Sequence, residues 1–152
     1  MFNENNCMTL EKISANMPGA LLVYKKNEGE EIIFVSQEIA RIFECDSIDD
    51  FMKFTGGSFS TIVYPEDVEK IEDSIKSQVS ATGGYDYIIY RIITKNGNIK
   101  TVEDWGHCVH DDQLGDLYYV YLHDMAMGEP FEDTAKIHEL IDPVANATDD
   151  LT

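Results

Sequence analysis

The chain has 152 residues, the length of a single domain, and its 43% hydrophobic and 11% aromatic content can bury a core and excludes wholesale disorder. Twenty-nine Asp and Glu against 11 Lys and Arg give a formal charge of −18, a field that repels phosphate backbones and anionic headgroups and argues against nucleic acid or a membrane surface as partner. Eight of those acids, and Lys136 alone of the bases, lie from Asp124 onward. The three cysteines, Cys7, Cys45 and Cys108, form no close-spaced pair, which fits a reducing cytoplasm better than a secreted disulfide scaffold. No run approaches the roughly 18 apolar residues of a membrane span, and the N-terminus lacks the basic and apolar regions of a secretory signal.

In chain order, Thr9 is positioned to cap a short helix carrying Leu10, Ile13 and Met17, ended by Pro18-Gly19. Ala20 to Tyr24 reads as a first strand and Ile32 to Ser36 as a second, with the polar turn Lys25 to Glu31 between them. Ile39, Ile42 and Phe43 recur at helical spacing. Ser47 to Phe54 reads as another helix, with Ser47 as cap and Gly56-Gly57 as stop. Pro65 to Val79 carries the clearest helical pattern. Pro stands in its first turn, Glu66 and Asp67 lie near the positive end of its dipole, and Val68, Ile71, Ile75 and Val79 form one apolar stripe. Its acids Glu66, Glu69, Glu72 and Asp73 are expected on a solvated face. Gly83-Gly84 ends the region. Tyr85 to Ile93 and Ile99 to His110 flank Lys95-Asn-Gly-Asn98, a strong hairpin signal, and Leu117 to Asp124 supplies the last strand. Two strands, several helices and a three-strand meander argue for an α+β fold with an antiparallel sheet.

That order carries motifs that together resemble a PAS domain of bacterial signalling proteins. Met17-Pro-Gly-Ala-Leu-Leu-Val-Tyr24 is similar to the start of the family's first strand. Phe34 to Phe43 is similar to the segment where its second strand runs into a helix. Val63-Tyr-Pro-Glu-Asp67 resembles the family's His-Pro-Asp-Asp helix start, departing at Tyr64 and Glu66. Tyr90 to Gly97 resembles its Tyr-Arg…Asp-Gly hairpin, with Thr101 where Trp is common, and Leu122-His-Asp-Met125 ends the last strand where the family has Asp-Ile-Thr. The resemblance spans Met17 to Met125. It divides the chain into an N-terminal helical cap (1–16), a PAS domain (17–125) and an acidic tail (126–152) with one short helix over Glu132 to Ile141 and an unstructured end.

The resemblance implies a five-stranded antiparallel sheet curved around a small pocket, with helices packed on one side and an N-terminal helix. It implies a sensory module that passes a signal to an output domain of the diguanylate cyclase, phosphodiesterase or histidine kinase type, and does no chemistry itself. Strand alternation, matched to that sheet, then sorts the residues. Tyr90, Ile92, Asp104, Cys108, Tyr118 and Leu122 face the pocket as candidate ligand contacts. Tyr87, Ile89, Trp105, Tyr119 and Tyr121 form an outer aromatic face, too large to be left in water and expected to be covered by the N-terminal helix, a second protomer or both. Asp124 and Met125 stand at the signal output.

Asp104, Gly106 and Cys108 are small or polar where large apolar side chains would fill a core. Two readings follow: a pocket for a ligand that donates hydrogen bonds, or a filled core in which Asp104 bonds to backbone or a tyrosine hydroxyl. Gly106 is also a natural place for a β-bulge, which would shift the parity. The cofactor is unknown. Gly56 to Ile62 holds no cysteine for a flavin adduct, and Pro65 to Ser80 holds no histidine for haem. His107, Cys108 and His110 do not share one face, so no metal site is assigned. No nucleophile motif or phosphate loop is present, and the chain is not read as an enzyme. The expectation is a cytoplasmic, homodimeric PAS sensor for a small ligand or partner protein. The alternative is a ligand-free dimerisation module.

Overall fold

The computed structural model describes residues 7–128, so the expected tail helix over Glu132 to Ile141 lies outside the described residues. Five helices and five strands follow one another: α1 (Leu10–Ala15), β1 (Ala20–Lys25), β2 (Ile32–Val35), α2 (Glu38–Ile42), α3 (Ile48–Thr55), α4 (Phe59–Ile62), a 3-10 turn at Pro65–Asp67, α5 (Val68–Thr82), β3 (Tyr85–Ile93), β4 (Ile99–Asp111) and β5 (Gly115–Asp124). A second 3-10 turn, Met125–Gly128, continues from β5.

Local chemistry sets the helix ends. The Thr9 hydroxyl accepts from the Lys12 amide, and the Ser47 hydroxyl accepts from the Asp50 amide. Gly56 and Gly83 close α3 and α5 in the left-handed conformation that glycine adopts without a Cβ penalty. The long helix begins one turn later than its Pro suggests, because Pro65–Asp67 winds as a 3-10 turn before α5 starts.

The strands form one antiparallel sheet in the order β2-β1-β5-β4-β3. The register of β4 is unbroken through Gly106, which pairs with Asp86 on one side and Val120 on the other, so the bulge considered there does not form. Gly106 answers a different need. A Cβ at this position would stand 2.5 Å from Asp86 Oδ2, so its small size makes room for a neighbouring carboxylate.

Helices α2 to α5 cover one face of the sheet. Ile39, Phe43, Phe51, Phe59, Ile71 and Ile75 pack there against Leu22, Ile88, Ile92, Val102, Val120 and Leu122. Burying each of these side chains contributes on the order of 1.5–3 kcal/mol, which makes this face the principal source of stability. The free edge of β3 is not left bare. The Gln78 side chain on α5 donates to the Tyr87 carbonyl at 3.1 Å and accepts from the Tyr87 amide at 2.9 Å, pairing with the edge as a strand would. No helix among the described residues is long and apolar enough to cross a membrane.

Candidate functional site

Alternation along β3, β4 and β5 points Tyr90, Ile92, Asp104, Tyr118 and Leu122 to the helix-covered face, all buried, with Cys108 half-buried beside them. These side chains do not form one site. Ile92 and Leu122, both at 0% exposure, are packed into the core. Tyr90 and Asp104 form a pair deeper in the sheet, where the Tyr90 hydroxyl donates to Asp104 Oδ2 at 2.8 Å. Tyr118 alone of the six lines an open cavity, of about 270 Å³, between the β1–β2 turn, β5 and α5.

Sequence periodicity does not gather the other residues around that cavity into a set. Tyr24 forms its floor, stacked between Phe59 at 4.5 Å and Tyr118 at 4.9 Å. Glu30, Glu72, Lys26 and Lys76 stand at its mouth. Glu72 therefore departs from the solvated helix face expected of it: it is half-buried and its carboxyl meets that of Glu30. Asp86, two residues before Ile88 on the same face of β3, is a second interior acid beside Asp104. The period-two pattern extended back from Ile88 would have found it.

Burial dominates the electrostatics of this interior. Desolvation pushes Asp104 up to about 8, with a smaller contribution from the neighbouring Asp86 charge, and outweighs the Tyr90 hydrogen bond that favours the charged form. Desolvation alone brings Asp86 to about 6. Glu30 rises to about 8, first through burial and then through its hydrogen bond with Glu72. Tyr24 and Tyr90 are pushed up by burial and by the Asp104 charge, and Tyr118 reaches about 12 mainly through burial.

Among the described residues the opposite face of the sheet is open. Tyr87, Ile89, Trp105 and Tyr119 are exposed there, and the half-buried Tyr121 lies with them. The Tyr87 and Trp105 rings lie 4.3 Å apart, and Tyr85 stacks on His107 at 4.1 Å. Together with Leu21, Val23 and Phe34 they line a broad apolar groove of about 910 Å³. Helix α1 brings only Leu10 to its rim, so within the described residues the N-terminal helix does not cover this face. Tyr121 turns its hydroxyl under Gly19, where it is buried without a hydrogen-bond partner among the described residues.

At the end of β5, Asp124 joins three elements. Its Oδ1 accepts from the Ala126 amide at 2.9 Å, setting the turn by which the chain leaves the sheet. Its Oδ2 lies 3.1 Å from Lys100 Nζ, which also donates to the Ile42 carbonyl at the end of α2. Glu44, in the left-handed region at φ 57°, accepts from Thr94 and Asn98 of the β3–β4 hairpin nearby. Met125 is exposed at the start of the following turn. A second clamp fixes the start of the long helix. Asp67 receives a bidentate pair from Arg91, at 3.0 and 2.7 Å, while the guanidinium lies 4.3 Å from the Tyr64 ring centroid.

This sheet order, with its helices on one face, matches known proteins. A family model described as the PAS fold matches residues 32–122. The chain belongs to the PAS family. Among solved structures, it is similar to the PAS domain, in complex with ethanol, of a LuxR-family transcriptional regulator from Burkholderia thailandensis, with 20% identity, a TM-score of 0.58, and coverage of 78% of this chain and 99% of that one. It is also similar to the N-terminal domain of a diguanylate cyclase with PAS/PAC sensor from Marinobacter aquaeolei, at 16% identity and TM-score 0.52, covering 73% and 98%. A third is a sensory box histidine kinase/response regulator from Burkholderia thailandensis, at 12% identity and TM-score 0.57, covering 85% and 93%. Identities this low establish the shared PAS fold. No curated protein matches the chain. The α+β PAS architecture expected from the sequence is the one observed.

Proposed function

We propose that this PAS domain is a regulatory module that takes up a small ligand in the cavity beneath the β1–β2 turn and controls an output domain of the diguanylate cyclase or histidine kinase type. The observation that carries this reading is the floor of that cavity. Tyr24 is 2% exposed, yet its hydroxyl has no hydrogen-bond partner among the described residues. That hydroxyl opens onto the cavity, where it is free to bond a molecule lodged against the Tyr24 ring.

The apolar groove on the other face is the proposed homodimer surface, in a reducing cytoplasm where Cys45 and Cys108 stay as thiols. The junction at Asp124 is the proposed exit for the signal, because it ties the end of β5 to α2 through Lys100. The proposed role is regulation, with any catalysis in the output domain. A second reading, a ligand-free dimerisation module, draws support from the Tyr90–Asp104 bond, which satisfies the deepest acid without a ligand.

Native mass spectrometry of the purified chain, followed by thermal melts across a metabolite panel, separates the two. A retained small molecule, or a melting shift that Tyr24→Phe reduces, supports the sensor. A clean polypeptide mass with no shift from any compound leaves the dimerisation module.

A further inference from the structure

The cavity beneath the β1–β2 turn has walls of a consistent chemical character. Its half-buried charges, Glu30 and Glu72, are both acids, whereas the lysines at its mouth, Lys26 and Lys76, are exposed to solvent. Behind the floor the buried ionisable side chains are Asp86 and Asp104, and no lysine, arginine or histidine is buried among the described residues. The Asp86 carboxyl is 7% exposed and has no hydrogen-bond partner among those residues.

The floor adds a second kind of recognition. Tyr24 and Tyr118 present stacked rings, and neither hydroxyl is bonded to protein among the described residues. The side-chain polar atom that is both sealed from solvent and unpartnered among the described residues is Tyr121 Oη, so the Tyr24 hydroxyl opens onto the cavity. The mouth is held in place by backbone. Glu30 takes the left-handed conformation at φ 46°, its amide donates to the Asn27 carbonyl, and its own carbonyl accepts from the Phe59 amide at 3.0 Å. Its carboxyl is thereby fixed facing α5.

We propose that this cavity binds a small organic ammonium ion, its charged head between the Glu30 and Glu72 carboxyls and its body against the Tyr24 and Tyr118 rings. The inference rests on the sensory reading and names the ligand class for that site. Aromatic faces attract cations, and paired carboxylates supply the matching acceptors. A bare metal ion fits less well, since no three His, Cys, Asp or Glu side chains among the described residues gather with ligand geometry. An anion could pair with Lys26 and Lys76 at the mouth, but going deeper it would meet the half-buried Glu30 and Glu72 carboxyls with no buried cation among the described residues to hold it.

Without ligand, burial and the facing Glu72 carboxyl favour a proton on Glu30, opposed by Lys76 of α5, while Lys26 of the turn and Glu28 also line the cavity. The ammonium head replaces that proton, so binding releases it to solvent and strengthens as pH rises towards 8. The ammonium itself stays charged over this range, and one proton released corresponds to up to about tenfold in affinity per pH unit.

Isothermal titration of the full chain with benzylamine, benzyl alcohol and benzoate, three probes of one skeleton and three charge states, tests this. The expected result is that benzylamine binds at least tenfold tighter than the other two. Its affinity should rise from pH 6 to pH 8, with a heat that varies with buffer ionisation enthalpy. Glu30→Gln and Glu72→Gln should each weaken it tenfold or more and flatten the pH response, with circular dichroism confirming that both fold. Equal or tighter binding of benzyl alcohol or benzoate, or no benzylamine binding, or benzylamine binding untouched by both Gln variants, overturns the ammonium assignment. Where a neutral or anionic probe binds and Tyr24→Phe weakens it, the sensory reading survives that failure. Where none of the three binds and no metabolite shifts the melt, both fall together.

Discussion

The Tyr90 hydroxyl donates to Asp104 Oδ2 at 2.8 Å, and the two side chains are 2% and 1% exposed. They form a polar pair in the middle of a mostly hydrophobic sheet face that also carries Asp86. A neutral carboxyl is the form that this burial favours, and Asp104 accordingly titrates at about 8.

The pair sets a pH dependence of stability. Between the ordinary carboxylate range and pH 8 the unfolded chain has lost the Asp104 proton and the folded chain has kept it, so folding is progressively penalised as pH rises. Asp86, at about 6, adds to the same trend. Half-buried carboxylates held low by their partners, such as Asp67 by Arg91 and Asp50 by Lys95, act in the opposite sense and lose their contribution only as pH falls through the acid range. Maximum stability is therefore expected near pH 5, with a decline of a few kcal/mol by pH 9. Asp104→Asn keeps an acceptor for Tyr90 and should flatten that decline. Urea melts at pH 5, 7 and 9 measure it, and an unchanged slope in the variant would count against the buried acid as its cause.

Gly106→Ala should destabilise by about 1–3 kcal/mol, as overpacking does, because the new methyl meets the Asp86 carboxylate at 2.5 Å in a regular stretch of sheet. The double variant with Asp86→Gly should recover most of that loss. A double-mutant cycle with no coupling between the sites would refute the account.

Legibility of these features in the sequence follows how local each one is. Thr9, Ser47, Gly56 and Gly83 act on backbone within a few residues, so their residue types and positions suffice to assign them. Alternation sorts Tyr90, Asp104 and Tyr118 to one face and Tyr87, Trp105 and Tyr119 to the other, because the meander runs without a slip. Helix α4 is four residues long, too short to show a period. The meeting of Glu30 with Glu72 is not legible. One lies in a polar turn and the other on a helix whose acids look solvated, and only the packing of α5 beside that turn makes them neighbours. Gly106 points to a bulge by the usual rule, whereas its real cause is a side chain on the next strand.

Trp105 is the one tryptophan in the chain, and it is 53% exposed on the open face. If that face joins two copies, its emission should shift to the blue and resist acrylamide quenching as concentration rises from the low micromolar range. Tyr119→Lys should hold the chain as a monomer with red, quenchable emission at every concentration, since a buried unpaired charge at an interface costs several kcal/mol. Emission that stays red up to millimolar protein rejects the dimer surface.

Lys100→Met should loosen the end of β5. The substitution removes the partner of Asp124 Oδ2 and the donor to the Ile42 carbonyl, at a cost of about 1–3 kcal/mol for the groups left unpaired. Amide exchange at Ala126 is the readout, because that amide is held by the same carboxylate. Exchange as slow as in the native chain would separate the Lys100 contact from the exit turn.

Tyr118 lies against the cavity and Tyr119 lies in the groove, with a single peptide bond between them. On β1, opposite them, Tyr24 and Val23 divide in the same way. The wall separating the cavity from the outer groove is thus one layer of backbone thick. A molecule lodged beneath the β1–β2 turn and a protein lying on the outer sheet would press on the same two strands from opposite sides. Communication between them would need no chain of intermediaries across the domain, only a change in how β1 and β5 twist.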